Sequence, residues 1–344
     1  MFLVLMVMAI EESVKRFRAK VRAGIRADLK NYFSSPQVID RSSDDRIEIA
    51  VPGLRIPRFR HAMADPFSNS DSDDEPLKEK HPVSLDDLMD IAAEELNLKK
   101  IIPEKVVRTL SSERGYGALA DKGPEAMRSF RRTFQRALMR QIASGSYHPG
   151  EIVYVRGHDK RYNVPETTEV VSKKALVINI KTPVIDTEDL ERIMTFNTWT
   201  NLWLKRFYDE VVTEYVVHRD LARVVNKKEY LKAKGESKTK VSSAYVKCLD
   251  LMLSKYSPDI WNIYIFQFAD GRIQSGNEGE ALSLLDRWVI PNVNLFCYGQ
   301  VMESDESHFY KKLLVQTFGR SGKVRSFDFQ RRQHVYPAMG ICFG

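Results

Sequence analysis

From Lys174 onward, short apolar or β-branched runs alternate with helix-length amphipathic segments, and this alternation constrains the fold more than any other feature of the chain. The unbroken run Ala175 to Ile180 reads as a strand buried on both faces, Glu188 to Phe207 as a helix, Val211 to Val217 as a strand and Val241 to Leu253 as a helix. Trp261 to Phe268 then reads as a strand, Glu278 to Val289 as a helix, Val293 to Tyr298 as a strand and Ser304 to Phe318 as a helix. A strand without polar alternation needs cover on both sides, so the pattern predicts an α/β fold, a doubly wound and mostly parallel sheet. Ligands in that architecture sit beyond the carboxyl ends of the strands. The segments to inspect are therefore Lys181 to Asp186, the loop before Val241, and Ala269 to Asn277.

The first half is less regular. Met1 to Ile10 is wholly apolar, but it is half the length of a membrane span, lacks a basic lead and runs straight into Glu11 and Glu12; translation from Met8 is the expected reading, and no membrane anchor. Residues 11–33 read as a helix with Val14, Phe17, Val21, Ile25, Leu29 and Phe33 on one face and Lys15, Arg16, Arg18, Lys20, Arg22 and Arg26 on the other. Arg46 to Arg60 reads as a short strand followed by Pro/Gly turns, and Ala64 to Lys80 as an acidic linker. Ser84 caps the next predicted helix, with Asp87 three residues on and Leu85, Leu88, Met89, Ala92 and Leu96 as its apolar stripe, and Pro103 limits it. Ser111 to Gly123 reads as a loop. After Pro124 a helix runs to about Ile142, with Arg128, Arg131, Arg132, Arg136 and Arg140 as a basic ridge.

With 344 residues, 43% of them hydrophobic, and 53 Lys and Arg against 46 Asp and Glu, the chain has ample core-forming material and a net charge of only +7. That field is weak beside the clustered charge of nucleic-acid binders, so nucleic acid is not the expected partner. Cys248, Cys297 and Cys342 are odd in number and widely spaced, which fits neither a disulfide framework nor a thiolate metal site and points to the cytoplasm.

Five stretches carry a family resemblance. WNIYIFQFADG, Trp261 to Gly271, resembles the strand and Asp-Gly turn of the YeaH/YhbH family, a domain-of-unknown-function group that includes a stage V sporulation-like protein and carries a von Willebrand factor A (vWA)-like domain. KTKVSSAY, Lys238 to Tyr245, is similar to that family's loop-helix entry; DKRYN, Asp159 to Asn163, resembles the lead into its vWA domain; IRADLKNYFSSPQVID with IAVPGLRIPRF resembles its amino-terminal helix and strand. The resemblance spans nearly the whole chain, with the acidic linker in place of the family's glycine-rich middle segment. It implies a vWA-like, Rossmann-type carboxy-terminal domain after a smaller α+β region. The expected division is 1–63 for an amino-terminal helix and strand, 64–82 for the linker, 83–165 for a helical region and 166–344 for the vWA-like domain.

The resemblance also implies a metal-ion-dependent adhesion site with a D-x-S-x-S first loop, a threonine from a second loop and an aspartate from a third. Mg²⁺ wants such hard oxygen ligands in octahedral array. Carried onto this sequence, the first loop falls on Ile180-Lys181-Thr182-Pro183-Val184, the threonine on Thr239 and the last aspartate on Asp270. Ile180 and Val184 supply no ligand, and Lys181 opposes a dication by charge repulsion. Thr182, Thr239 and Asp270 are thus the remnant of a degenerate site. Each also has a plain reading, Thr182 as a loop residue, Thr239 as a helix cap and Asp270-Gly271 as a turn. Lys181 either pairs with Asp270 in place of a metal or points to solvent, and Asp186 reaches the site only if the Pro183 turn folds it back. With His218 and Arg219 at the next strand end, Lys181 and Asp186 complete the candidate partner contacts.

No zincin, nucleophile elbow, Walker or dinucleotide glycine motif is present. The expected function is a non-enzymatic, cytoplasmic adaptor without a required cofactor. By family resemblance its partners are a PrkA-type AAA+ serine protein kinase and a SpoVR-like protein, in a stress- or sporulation-linked system. The alternatives are nucleic-acid binding through the basic helices 15–26 and 128–140, and, more weakly, a metal-dependent hydrolase.

Overall fold

The computed structural model describes residues 22–50, 80–218, 221–235, 240–272, 276–302 and 308–344. Helix α1 (22–33) buries Ile25, Leu29 and Phe33, as its apolar spacing requires, while residues 11–21 of the expected helix, with the basic stretch from Lys15 to Lys20, lie outside the described residues. Strand β1 (Arg46–Ala50) pairs antiparallel with β2 (Lys80–Ser84), which begins where the expected acidic linker ends, most of that linker lying outside the described residues; Pro82 stands opposite Glu48 in this two-stranded ribbon, where a missing N–H is tolerated. Helix α2 (Leu85–Leu96) starts as expected, Ser84 Oγ accepting from Asp87 N at 3.1 Å, but it stops well before Pro103 because Asn97 takes up the left-handed conformation at φ 50°.

Strand β3 (Val107–Ala120), helix α3 (Phe130–Ala143) and strand β4 (Tyr162–Ser172) follow. The stretch Ser111 to Gly123, expected to be a loop, is corrected here: most of it is β3, paired antiparallel with β4 and accommodating its glycines at register shifts around Tyr116. These elements form a compact unit of their own, residues 107–172. Inside it, buried Asp159 accepts from Arg140 Nε and from Arg156 N, and the Arg140 hydrogen bond leads the effects that hold its carboxyl below the usual range. Arg128 pairs with Glu125 at 3.0 Å. Three arginines of the basic ridge thus serve the unit's own carboxylates, Arg136 reaching Asp121 at 4.0 Å, while Arg131 and Arg132 are exposed.

The other unit comprises 1–106 and 173–344. Strand β5 (Lys174–Lys181), helix α4 (Thr187–Leu204), strands β6 (Glu210–His218) and β7 (Ala222–Val225), helices α5 (Lys227–Lys232) and α6 (Val241–Ser254), and strand β8 (Trp261–Ala269) lead into helix α7 (Glu278–Leu284) with a π turn at Leu285–Val289. Strand β9 (Leu295–Gln300), helix α8 (His308–Phe318), strand β10 (Val324–Asp328) and helix α9 (Val335–Phe343) complete it. Strands β7 and β10 and helices α5 and α9 had not been read from the sequence. The sheet order is β10-β9-β8-β5-β6-β7, parallel throughout except for the antiparallel edge strand β7. This is a mixed α/β fold around a six-stranded, mostly parallel sheet.

Successive residues of β5 feed opposite cores. On one face, the second core, Leu176, Ile178 and Ile180 pack with Tyr245 of α6, Leu285 of the π turn and Leu314 of α8; the core on the other face is the first. Ala175 and Val177 join α4 and α9 through Phe196, Trp199 and Phe343, and the same core takes in Ile25, Leu29, Phe33, Ile47, Leu85 and Leu88. The amino-terminal helix and ribbon, expected as separate segments, therefore share one core with the sheet. Trp199 shows why: its ring stacks on Phe33 with centroids 4.0 Å apart, and its Nε1 donates to the Phe33 carbonyl at 3.0 Å. Arg26 on the exposed face of α1 pairs with Glu94 at 2.6 Å. On β9, Gly299 leaves the space that Phe268 and Phe327 fill, since a Cβ there would stand 2.7 Å from the Phe268 ring. Among the described residues no helix is long and apolar enough to cross a membrane.

Candidate functional site at the carboxyl ends of the central strands

The strand order reverses between β5 and β8, which leave the sheet side by side. Register places Lys181 of β5 opposite Val217 of β6 and Phe268 of β8, so Thr182, just past β5, stands level with His218 and Ala269 at the ends of their strands, with Asp270 next. Thr182 N donates to the Phe268 carbonyl at 3.2 Å, which fastens the first loop to the third. Thr182 and Asp270, brought together by the family resemblance, are thus neighbours at adjoining strand ends. Thr239 and Arg219 lie outside the described residues.

Burial gives this rim its character. Thr182, His218, Gln267 and Asp270 expose 1% of their surface or less, and Thr182 Oγ1, both His218 ring nitrogens, Gln267 Nε2 and Asp270 Oδ2 have no hydrogen-bond partner among the described residues. Native proteins leave few buried polar atoms unsatisfied, and each such group calls for an explanation, a bound ion or water among them. Asp270 is held weakly: Oδ1 accepts from Arg272 N at 3.4 Å, and Arg272 Nε stands 4.0 Å from Oδ2. Desolvation therefore prevails and raises its carboxyl above the usual range. Gly271, at φ 83°, supplies the left-handed turn that the Asp-Gly pair requires. Burial pushes His218 down to about 4, with no acidic partner for it among the described residues, so its imidazole is neutral.

Sequence reasoning missed the polar groups behind the rim. Ser242 N donates to Asn277 Oδ1 at 3.0 Å, and Asn277 Nδ2 donates back to Ser242 Oγ at 2.8 Å, locking the start of α6 to the start of α7. Tyr245 donates to Gln267 Oε1 at 2.8 Å and shares a hydrogen bond of 2.6 Å with Tyr310, while Gln300 Nε2 donates to the Asp270 carbonyl at 2.8 Å. Polar residues at inward-facing positions of otherwise apolar elements were the available signal: Gln267 interrupts the second-core face of β8, and Ser242 had been noted only within the KTKVSSAY stretch.

Two expectations about Lys181 and Asp186 are corrected. Lys181 leaves β5 on the face opposite Ile180, donates to the Ala233 carbonyl at 3.1 Å and lies 5.1 Å from the Tyr230 ring centroid. It is fully buried, so it neither pairs with Asp270 nor points to solvent, and burial lowers its ammonium to about 8. Asp186 caps α4, its Oδ1 accepting from Asp189 N at 2.8 Å, and does not fold back to the rim. His218 is likewise enclosed and offers no surface contact. Lys181→Met should keep the aliphatic stem and remove the buried charge; thermal melts at neutral pH should show a midpoint equal to or above that of the unchanged chain. A large destabilisation would mean the ammonium's single hydrogen bond outweighs its desolvation.

Among the described residues the rim does not reproduce the ligand set of the adhesion site. Ile180 is fully buried in the second core at the position assigned to the first aspartate, Asp270 is the one carboxylate carried over, and no cluster of three or more His, Cys, Asp or Glu among the described residues could hold a metal ion. An octahedral site for a hard dication calls for more charge than one carboxylate provides.

Residues 146–343 match the model of a protein family described as protein of unknown function (DUF444). A UPF0229 protein of Oceanobacillus iheyensis is 28% identical over 268 residues, 76% of this chain and 66% of the relative. One from Halalkalibacterium halodurans is 24% identical over 365 residues, 96% of this chain and 91% of the relative, and one from Bacillus cereus is 31% identical over 222 residues, 62% of this chain and 54% of the relative. The match with the first and third of these spans less than two thirds of their length, and none of the names states an activity.

Proposed function

Because the chain belongs to the DUF444 family of proteins of unknown function, which is the YeaH/YhbH family, we propose that its sheet unit is a vWA-like docking module working without catalysis. The observation that carries this reading is the cluster of buried, unpartnered polar atoms on Thr182 and Asp270 where the strand order reverses, the place where ligands of open α/β sheets bind. The order β10-β9-β8-β5-β6-β7, with its antiparallel edge strand, supports the vWA-like, Rossmann-type assignment. A rim with one carried-over carboxylate and a neutral histidine that has no acidic partner among the described residues favours recognition over acid–base chemistry.

In this reading the protein is a cytoplasmic adaptor for a PrkA-type AAA+ serine protein kinase and a SpoVR-like protein, and it engages them without a metal ion. Support for these partners comes from the family resemblance alone. Size-exclusion chromatography of the full chain with the kinase and the SpoVR-like protein of the same host, in Mg²⁺ and in EDTA, tests the proposal. Co-elution in both buffers, lost or weakened at least tenfold by Asp270→Ala, is the expected result. No complex in either buffer would refute the adaptor role, and a complex strictly dependent on Mg²⁺ would refute metal-free docking.

A further inference from the structure

Two of the three cysteines meet in the first core. Cys297, on β9 between Phe266 of β8 and Arg325 of β10, turns its side chain toward α9, and Cys342 on α9 faces it with Sγ atoms 3.0 Å apart. That separation is shorter than a usual sulfur–sulfur contact and within about 1 Å of a disulfide bond length. Both are free thiols, separated by 44 intervening residues, so nothing in their spacing along the chain announced the meeting. The third thiol, Cys248, lies in the second core on the opposite face of the sheet, out of reach and a built-in control.

We propose that Cys297 and Cys342 form a redox site, closing reversibly to an intrachain disulfide in response to a hydroperoxide and thereby stapling α9 to the sheet. The atoms balance. The sulfur of one thiolate attacks the peroxide, the O–O bond breaks, and a sulfenic acid forms while the departing oxygen leaves as water after taking up a proton. The second sulfur then displaces that hydroxyl, the S–S bond forms and another water leaves. Overall two thiols and one hydrogen peroxide become one disulfide and two waters, sulfur being oxidised and peroxide oxygen reduced. Cys342 is the entry point because it retains 6% exposure where Cys297 has none; burial, and after it the adjoining Cys297 sulfur, push its thiol well up, an effect the Arg325 guanidinium opposes only in part, so the step proceeds through a minor thiolate population. Closure would tie down the same helix whose Phe343 carbonyl accepts from Lys99 N at 2.7 Å, and so would fix the residues after α2 as well.

The reduced full chain, treated with equimolar hydrogen peroxide and digested without reductant, supplies the test. The expected result is a linked peptide pair holding Cys297 and Cys342, a monomer lighter by two hydrogens, one titratable thiol after denaturation where there had been three, and a higher melting midpoint, all reversed by dithiothreitol. Cys248→Ser should leave the link intact, and Cys342→Ala should abolish it. Should Cys342→Ala fail to fold, the peptide map of the unchanged chain decides by itself. A bridge through Cys248, a bridge between two chains, over-oxidation without a bridge, or three unchanged thiols would each overturn the proposal.

Discussion

Trp199→Ala is expected to destabilise the sheet unit by about 3–5 kcal/mol, the range for emptying a large aromatic from a core. The ring is fully buried, stacks on Phe33 and hydrogen-bonds the Phe33 carbonyl, and Phe33 in turn meets Tyr336 of α9 edge-on at 5.4 Å. Removing it leaves both a cavity and an orphaned carbonyl between α1 and α4. Urea unfolding should show the midpoint fall, and hydrogen exchange should show amides 22–33 losing protection first. Trp199→Phe, which keeps the stack and loses only the donor, should cost about 1–2 kcal/mol. Exposed Trp288 is the control: Trp288→Ala should change stability by less than about 0.5 kcal/mol. Equal effects at Trp199 and Trp288 would mean that α1 is not part of the core.

Acid should loosen the rim through His218. Its folded value of about 4 lies below the ordinary 6.5, so the unfolded chain binds the proton more readily between those limits. The stabilisation is present above pH 6.5 and is lost as pH falls from 6.5 toward 4, to a total on the order of 3 kcal/mol at about 1.4 kcal/mol per pH unit. His334 is also lowered by burial and acts in the same direction. Asp270 acts the other way, because its raised carboxyl takes up a proton more readily in the folded protein and so favours folding as pH falls through its range. Comparing the unchanged chain with His218→Gln isolates the imidazole: the variant's stability should vary much less between pH 6.5 and 4. Parallel profiles for the two proteins would show that His218 is not buried in a neutral state.

How far the site could be read in advance differs from residue to residue. Ser84 was recognisable as a cap because its role depends on a backbone N–H three residues away. Asp270 and Thr182 could be nominated only through the family resemblance, since the residues alone read equally as a turn and a loop, and their adjacency follows once β5 and β8 are neighbours. Lys181 could not be placed, since a strand's last residue goes to one face or the other according to which face each core occupies. Strand β3 was missed because its glycines imitate a loop until β4 arrives to pair with it.

Local pattern therefore determined strands β5, β6, β8 and β9 and the main helices that follow them, and that their sheet would be mostly parallel and covered on both faces, since burial periodicity is a property of neighbouring residues. Only tertiary structure decided that α1 and the β1–β2 ribbon complete the first core, that Lys181 turns away from Asp270, and that Cys297 faces Cys342. Those outcomes depend on contacts between residues tens to more than a hundred positions apart, whose meeting is set by how the whole chain packs and leaves no trace in the spacing of the residues themselves.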